Sequence, residues 1–353
     1  MAIWNPILKS DPCIKKLEKP ILTKNDIPYE AELVFNAGVA KVNGKYIMIF
    51  RNDYGASREE YERKEKKLSK TAVGIAVSDN GIDGWRVWET PLINYDKTSG
   101  IGVDLLGHSK GLPHLKRLYD PRITVIDGEL YLCLAADTLH GIRGCIARLA
   151  PDLSHYEIIS ASVPDNRNMV LFPEKIGGHY VRLERPLPVY GRGGRDRFDI
   201  WLSRSPDLKF WGESQMLLGV EQVPYANDKI GPAAPPVKTP KGWLTTFHAV
   251  DKESEGRGQN EWDTWWNKRY CAGIMLLDLE DPSKIIGMSK VPLIAPETDY
   301  EANEGYRQNV IFPGGMILEE DGEVKIYYGA ADTVECVATA KVDDLIALCT
   351  EKP

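Results

Sequence analysis

Apolar and polar positions in this chain recur as short strands around turn residues, with no long helical stripe. Residues 122–126 and 129–134 are β-branched or aromatic and flank Asp127-Gly128, a two-residue hairpin signal. The same strand, Gly-containing turn and strand appear in residues 39–51, 172–186, 235–248 and 312–328. A further apolar strand follows each hairpin, at residues 74–79, 145–149, 200–205, 273–278 and 337–340. A fourth is expected at residues 90–94, 160–164, 215–219 and 291–295. The fifth copy lacks it because the chain nearly ends, but residues 19–23 have the same character. Five four-stranded units, the last completed from the N-terminus, predict an all-β fold, a five-bladed β-propeller closed by an N-terminal strand. A large sandwich is the alternative, and it does not predict a displaced fifth strand. Closure also leaves no sheet edge open to aggregation.

On this reading residues 1–353 form one catalytic domain, with an N-terminal arm at 1–18 and excursions at 54–70 and 251–269. The charged stretch 57–70 is rich in helix formers, with Glu59→Arg63 and Glu62→Lys66 at i,i+4 spacing, and reads as a solvated helix. Residues 95–119 form a long Gly-rich connection expected to act as a binding loop. It carries His108 and His114, but no third ligand stands at a usual metal-site spacing, so no metal is expected. The second excursion carries Trp262, Trp265 and Trp266, suited to stacking on a sugar ring or to anchoring the loop.

Composition narrows the function. A net charge of −7, from 44 basic and 51 acidic residues, gives no reason to expect a nucleic-acid or membrane partner. The start of the chain lacks a signal peptide's basic and apolar regions, and no apolar run is long enough to span a bilayer. Six scattered cysteines with no CxxC read as reduced core residues, and a cytoplasmic location is expected. Self-association through either excursion is compatible with the sequence, which fixes no number of subunits.

Chemistry is expected where the innermost strands of a propeller converge. The second strands of the hairpins end on Arg51, Arg185 and His248, and two others run into Asp137 and Asp332, a recurrence that points to a shared polar funnel. Arg167, Arg185, Lys229 and His248 come from successive units and can surround one phosphate. Asp120, just before Pro121, is expected to be held extended at a strand mouth, where it can serve as an acid; taken alone, Asp-Pro reads as a turn. The chain has no P-loop, dinucleotide fingerprint, nucleophile elbow or HExxH site, which leaves carboxylate-based glycosyl transfer.

Several motifs carry a family resemblance. Asn36-Ala-Gly with Arg51, Tyr119-Asp-Pro-Arg-Ile-Thr, Arg167-Asn-Met-Val-Leu-Phe-Pro-Glu-Lys with Glu184-Arg-Pro, Lys229-Ile-Gly-Pro-Ala-Ala-Pro-Pro, Phe247-His-Ala-Val, Tyr270-Cys-Ala-Gly and Tyr327-Tyr-Gly-Ala-Ala-Asp332 occur in order. Together they resemble glycoside hydrolase family 130, the β-mannoside phosphorylases, from about residue 33 onward. The resemblance implies a five-bladed propeller and reversible, inverting phosphorolysis of β-1,2- or β-1,4-linked manno-oligosaccharides or mannosyl-glucose or mannosyl-N-acetylglucosamine to α-mannose 1-phosphate and the shortened acceptor. It makes Asp120 the acid, acting through the mannose 3-hydroxyl. It assigns phosphate to Arg167, Arg185, Lys229 and His248, and the mannosyl unit to Asn36, Arg51, Tyr270 and Asp332. Inorganic phosphate is then a co-substrate and no cofactor is implied. Ala37 stands where other members have Ser. A β-mannosidase on the same scaffold and a non-catalytic carbohydrate-binding propeller are the rival readings.

Overall fold

The hairpins fold as expected and each grows into a separate antiparallel sheet. The computed structural model describes residues 7–94, 115–188, 198–252 and 268–350, and these form five sheets. The first blade runs Leu33–Val42, Lys45–Tyr54, Lys70–Ser78 and Arg86–Val87. The second runs Leu115–Ile126, Glu129–Thr138, Gly141–Leu149 and Tyr156–Ala161. The third runs Asn166–Leu171, Tyr180–Pro186, Ile200–Ser205 and Gly212–Leu218. In the fourth, Lys229–Pro232 and Val237–Thr239 share the inner edge, followed by Gly242–Lys252, Lys268–Leu277 and Ile285–Met288. In the fifth, Ile311–Leu318, Glu323–Ala330 and Val334–Lys341 take their outermost strand, Lys15–Lys16, from the other end of the chain. The fold is the five-bladed propeller closed by an N-terminal segment.

Several expected boundaries move. The closing strand is Lys15–Lys16, paired with Thr339 and Ala338, and the expected 19–23 segment adds only a bridge from Leu22 to Glu335. In the first and fourth blades the fourth strand lies earlier than expected, at Arg86–Val87 and Ile285–Met288. The expected segments instead bridge back to the third strand, through Ile93 to Val73 and Ile294 to Ala272. Leu293 and Ile294 are fully buried, so the apolar signal marked a segment packed into the core and not an outer strand. The third blade opens at Asn166–Leu171, ahead of the expected 172 start. The excursion at 57–70 has a single helix, Arg58–Glu62, with Ser57 and Glu60 forming a capping box; its ion pairs include Arg58–Glu62, Arg63–Glu65 and Lys66–Glu60. A final helix, Val342–Thr350, not expected from the sequence, buries Leu345 and Cys349 against the last two blades.

Large side chains knit the blades together. Phe172 meets Trp243 edge-to-face at 5.4 Å between the third and fourth blades, and Trp85 meets Tyr327 at 6.3 Å between the first and fifth. Five of the six cysteines are buried and Cys13 is partly so, all as free thiols. His108, His114, Trp262, Trp265 and Trp266 lie outside the described residues, as does most of each loop that carries them. No described helix is long and apolar enough to cross a membrane.

Candidate active site

One backbone device builds the site. In the innermost strands of the first three blades the register slips between Phe35 and Gly38, Tyr119 and Arg122, and Arg167 and Val170. Each slip holds an Asx residue in the left-handed region: Asn36 at φ 55°, Asp120 at 51° and Asn168 at 57°. Asn and Asp tolerate this conformation best among residues with a side chain, and a bulge re-aims the side chain it carries. All three line a single cavity together with Arg51, Arg167, Arg185, Tyr270, Arg307, Val310, Phe312 and Asp332. Asp120 is therefore not extended at a strand mouth. It sits within Leu115–Ile126, where the bulge overrides the usual preference of a residue preceding proline.

Asp120 is gripped on one oxygen. Asn36 Nδ2 and Arg51 Nη1 each donate to its Oδ1 at 3.0 Å, while Oδ2 has no protein partner among the described residues. Arg51 is itself oriented by Asp53, which accepts from its Nε at 3.0 Å and also accepts the Thr71 hydroxyl at 2.7 Å. Burial alone would raise the Asp120 pKa, but Arg51, then Arg122, the Asn36 bond and Arg167 outweigh it and hold the group below its usual range. In the unliganded pocket Asp120 is a carboxylate. Burial raises the Asp332 carboxyl above its usual range, although Arg307 and Arg51 oppose the shift.

The opposite side of the cavity is cationic. Among the described residues Arg167, Arg185 and Lys229 form no salt bridge, and the Nε atoms of Arg167 and Arg185 are buried without hydrogen-bond partners. Arg185 Nη1 lies 3.0 Å from His248 Nε2, leaving His248 Nδ1 unpartnered. Burial, together with Arg167, pushes Arg185 down to about 9. Burial, Arg185 and Lys268 push Lys229 down to about 6, and burial with Arg185 holds His248 well below its usual value. Buried positive groups that depress one another are poised to take an anion.

The expected residues are therefore gathered, but not all touch the cavity. Asn36, Arg51, Asp120, Arg167, Arg185, Tyr270 and Asp332 line it. His248 is fully buried and reaches it through Arg185, while the Lys229 ammonium lies 5.2 Å from the Tyr270 ring centroid. Asp137 belongs to a neighbouring cluster in which it accepts from Tyr119 Oη at 2.8 Å and Arg117 Nε at 2.6 Å. Asn168, Arg307, Val310 and Phe312 were not singled out from the sequence. Asn168 left only a weak signal: it stands ten residues before the turn Gly178, whereas Asn36 and Asp120 stand eight before Gly44 and Gly128, so the spacing did not align it with them. No group of three or more metal-ligating side chains occurs among the described residues.

Asp120, bonded to no other carboxylate and facing cations that form no salt bridge among the described residues, gives one cavity the means to move a proton beside a bound anion. Comparison with known proteins makes this specific. The sequence profile of glycoside hydrolase family 130, described as β-1,4-mannooligosaccharide phosphorylase, matches residues 15–351. A 1,2-β-oligomannan phosphorylase of a Thermoanaerobacter species is 32% identical over 94% of this chain and 98% of that protein. A β-1,4-mannooligosaccharide phosphorylase of Ruminococcus albus is 33% identical over 65% of this chain and 64% of its own length. The structure of a β-1,2-mannobiose phosphorylase from Listeria innocua, in complex with β-1,2-mannobiose, superposes with a TM-score of 0.74 at 25% identity. That match covers 95% of this chain and 98% of the other. The chain belongs to glycoside hydrolase family 130 and is a glycoside phosphorylase.

Proposed function

We propose that this enzyme cleaves β-1,2-linked manno-oligosaccharides by inverting phosphorolysis, giving α-mannose 1-phosphate and an acceptor one residue shorter. The 1,2-linkage is supported by the oligomannan relative, 32% identical over 94% of the chain, against 28% over 90% for a 4-O-β-D-mannosyl-D-glucose phosphorylase of Bacteroides fragilis. One observation carries the chemistry: Asp120 and the cations Arg167 and Arg185 line one cavity, with no second carboxylate bonded to Asp120. A phosphate oxygen attacks the anomeric carbon as the bond from that carbon to the bridging oxygen breaks. The bridging oxygen takes a proton that originates on Asp120 and is relayed through the mannose 3-hydroxyl. Phosphate thus replaces the base-activated water of an inverting hydrolase, and one protein carboxylate suffices.

Arg167, Arg185, Lys229 and His248 hold phosphate in this reading, while Asn36, Arg51, Tyr270 and Asp332 hold the mannosyl unit. Asp120 is ionised in the empty pocket and must be protonated to act as the acid. A phosphate dianion beside Arg167 offsets one of the charges that hold Asp120 low, so substrate binding itself favours the acid form. In the reverse direction the carboxylate is already the base required.

The test is incubation with β-1,2- and β-1,4-mannobiose, with and without inorganic phosphate, followed by assay of mannose 1-phosphate and free mannose. Mannose 1-phosphate formed from the 1,2-linked sugar, and only with phosphate, is the expected result. Free mannose released at the same rate without phosphate would make the chain a β-mannosidase; turnover of the 1,4-linked sugar alone would overturn the linkage.

A further inference from the structure

Arg122 and Glu335 lie next to the site without lining the cavity, and Arg122 bears on Asp120 through its charge. Arg122 follows the Asp120-Pro121 bulge, is 2% exposed, and forms no salt bridge among the described residues. Its guanidinium instead donates to four backbone carbonyls: Ala233 at 2.7 Å, Asn36 at 3.2 Å, Pro121 at 2.8 Å and Pro313 at 3.2 Å. These belong to the inner edges of the first, second, fourth and fifth blades. Glu335, fully buried in the third strand of the fifth blade, accepts the Ala37 N–H on Oε2 at 3.1 Å, while its Oε1 has no partner.

The carbonyl of Asn36 and the N–H of Ala37 belong to the same peptide unit. Arg122 holds one end of it and Glu335 the other. The fifth blade presses on the same place, since a Cβ on Gly314 would lie 2.0 Å from the Ala37 carbonyl oxygen. This peptide carries Asn36 in its left-handed conformation, and Asn36 in turn donates to Asp120 Oδ1. Because Arg122 also binds the Pro121 carbonyl, one guanidinium ties together the bulge that carries Asn36 and the bulge that carries Asp120.

We propose that Arg122 and Glu335 are positioning residues that clamp the Asn36–Ala37 peptide and so fix the orientation of Asp120. The proposal rests on the reading of Asp120 as the acid. Buried side chains with incomplete pairing are costly. Burial pushes Glu335 up to about 8 against the Ala37 bond and Arg122, and burial lowers Arg122. A carboxyl at that position needs only its acceptor oxygen to serve the clamp, so glutamine can replace it and leucine cannot.

The experiment compares Glu335→Leu, Glu335→Gln and Arg122→Lys with wild type in kcat, KM for mannobiose, affinity for inorganic phosphate by calorimetry, and thermal melting. Asp120→Asn runs in parallel. Glu335→Leu is expected to lower kcat about 10- to 100-fold, the scale of a misaligned catalytic group, with phosphate affinity unchanged. Glu335→Gln is expected to restore kcat to within about 3-fold of wild type. Should Glu335→Leu fail to fold, Arg122→Lys tests the same point, because an ammonium cannot span four carbonyls. A folded Glu335→Leu or Arg122→Lys protein with wild-type kcat overturns the clamp, and so does a kcat loss matched by an equal loss of phosphate affinity. An active Asp120→Asn enzyme would instead remove the acid assignment itself, an outcome distinct from an inactive Asp120→Asn beside an active Glu335→Leu.

Discussion

On the proposed reading, in which Lys229 helps to hold the anion, binding depends on pH. Burial and the nearby Arg185 and Lys268 push the pKa of Lys229 down to about 6 in the empty protein, so at pH 7.5 it is mostly the neutral amine. A bound dianion restores the ammonium, and binding above pH 6 must then take up a proton. The affinity penalty grows as 1 + 10^(pH − pKa). From pH 6 to pH 8 the dissociation constant is expected to rise about 50-fold, roughly 2 kcal/mol at about 1.36 kcal/mol per pH unit. Sulfate is the suitable probe, because it remains a dianion across this range whereas phosphate titrates within it. Calorimetry in two buffers of different ionisation enthalpy should show uptake of about one proton at pH 7.5, from the same linkage. His248 is held neutral throughout this range and Arg185, at about 9, remains charged, so neither adds to the slope. Lys229→Met should bind sulfate more weakly at pH 6 and with no pH dependence up to pH 8. A flat wild-type profile, or a slope that survives in Lys229→Met, would refute the assignment.

Asp120→Asn keeps the Asn36 and Arg51 neighbours but cannot supply a proton; mannose 1-phosphate formation should fall about 100- to 10,000-fold with the melting temperature little changed. Gly231→Ala places a Cβ 2.4 Å from His248 Cε1 and 3.0 Å from Arg185 Cδ, so the Arg185–His248 pair must shift; stability should fall by about 1–3 kcal/mol. Denaturant melts and sulfate titration of that variant check both consequences, with weaker sulfate binding expected. Asn168 Oδ1 is buried without a partner, and Asn168→Asp introduces a carboxylate beside Arg167; sulfate affinity should drop about 10-fold or more, as measured by the same calorimetry.

Much of the architecture was legible because hairpin periodicity repeats. Asp127-Gly128, with φ of 52° and 80°, forms the turn that its sequence specifies. The outer strands were misplaced for a physical reason. Arg86–Val87 is short and partly exposed, while the apolar Leu92-Ile93 that follows packs into the core and bridges back to the third strand. A pattern-based reading follows burial, and burial here marks the return path between blades. The cation set was legible as charges at equivalent strand ends, but the depth of His248 behind Arg185 was not. The local rule for a residue before proline pointed to an extended Asp120, and the bulge overrode it. Arg122 was visible only as part of the Tyr119-Asp-Pro-Arg-Ile-Thr motif and Glu335 not at all, and the role of neither was legible, since most of their partners are backbone groups from other blades.

The three bulges explain how one repeat produces a site with distinct roles. Each presents an Asx side chain to the same axis from the same left-handed backbone, so geometry is shared and only chemical identity differs. At Asn36 the amide donates to Asp120, at Asp120 the carboxylate leaves one oxygen open, and at Asn168 an acceptor lies buried and unfilled beside Arg167. An aspartate at the first position would place two carboxylates in contact and force one to hold a proton, removing the donor that keeps Asp120 ionised in the empty pocket. Asparagine there preserves a carboxylate whose protonation answers to the charge in the anion site. On the proposed mechanism this links the two substrates: phosphate raises the proton affinity of Asp120 before the glycosidic oxygen needs the proton, and departure of mannose 1-phosphate returns it to the carboxylate.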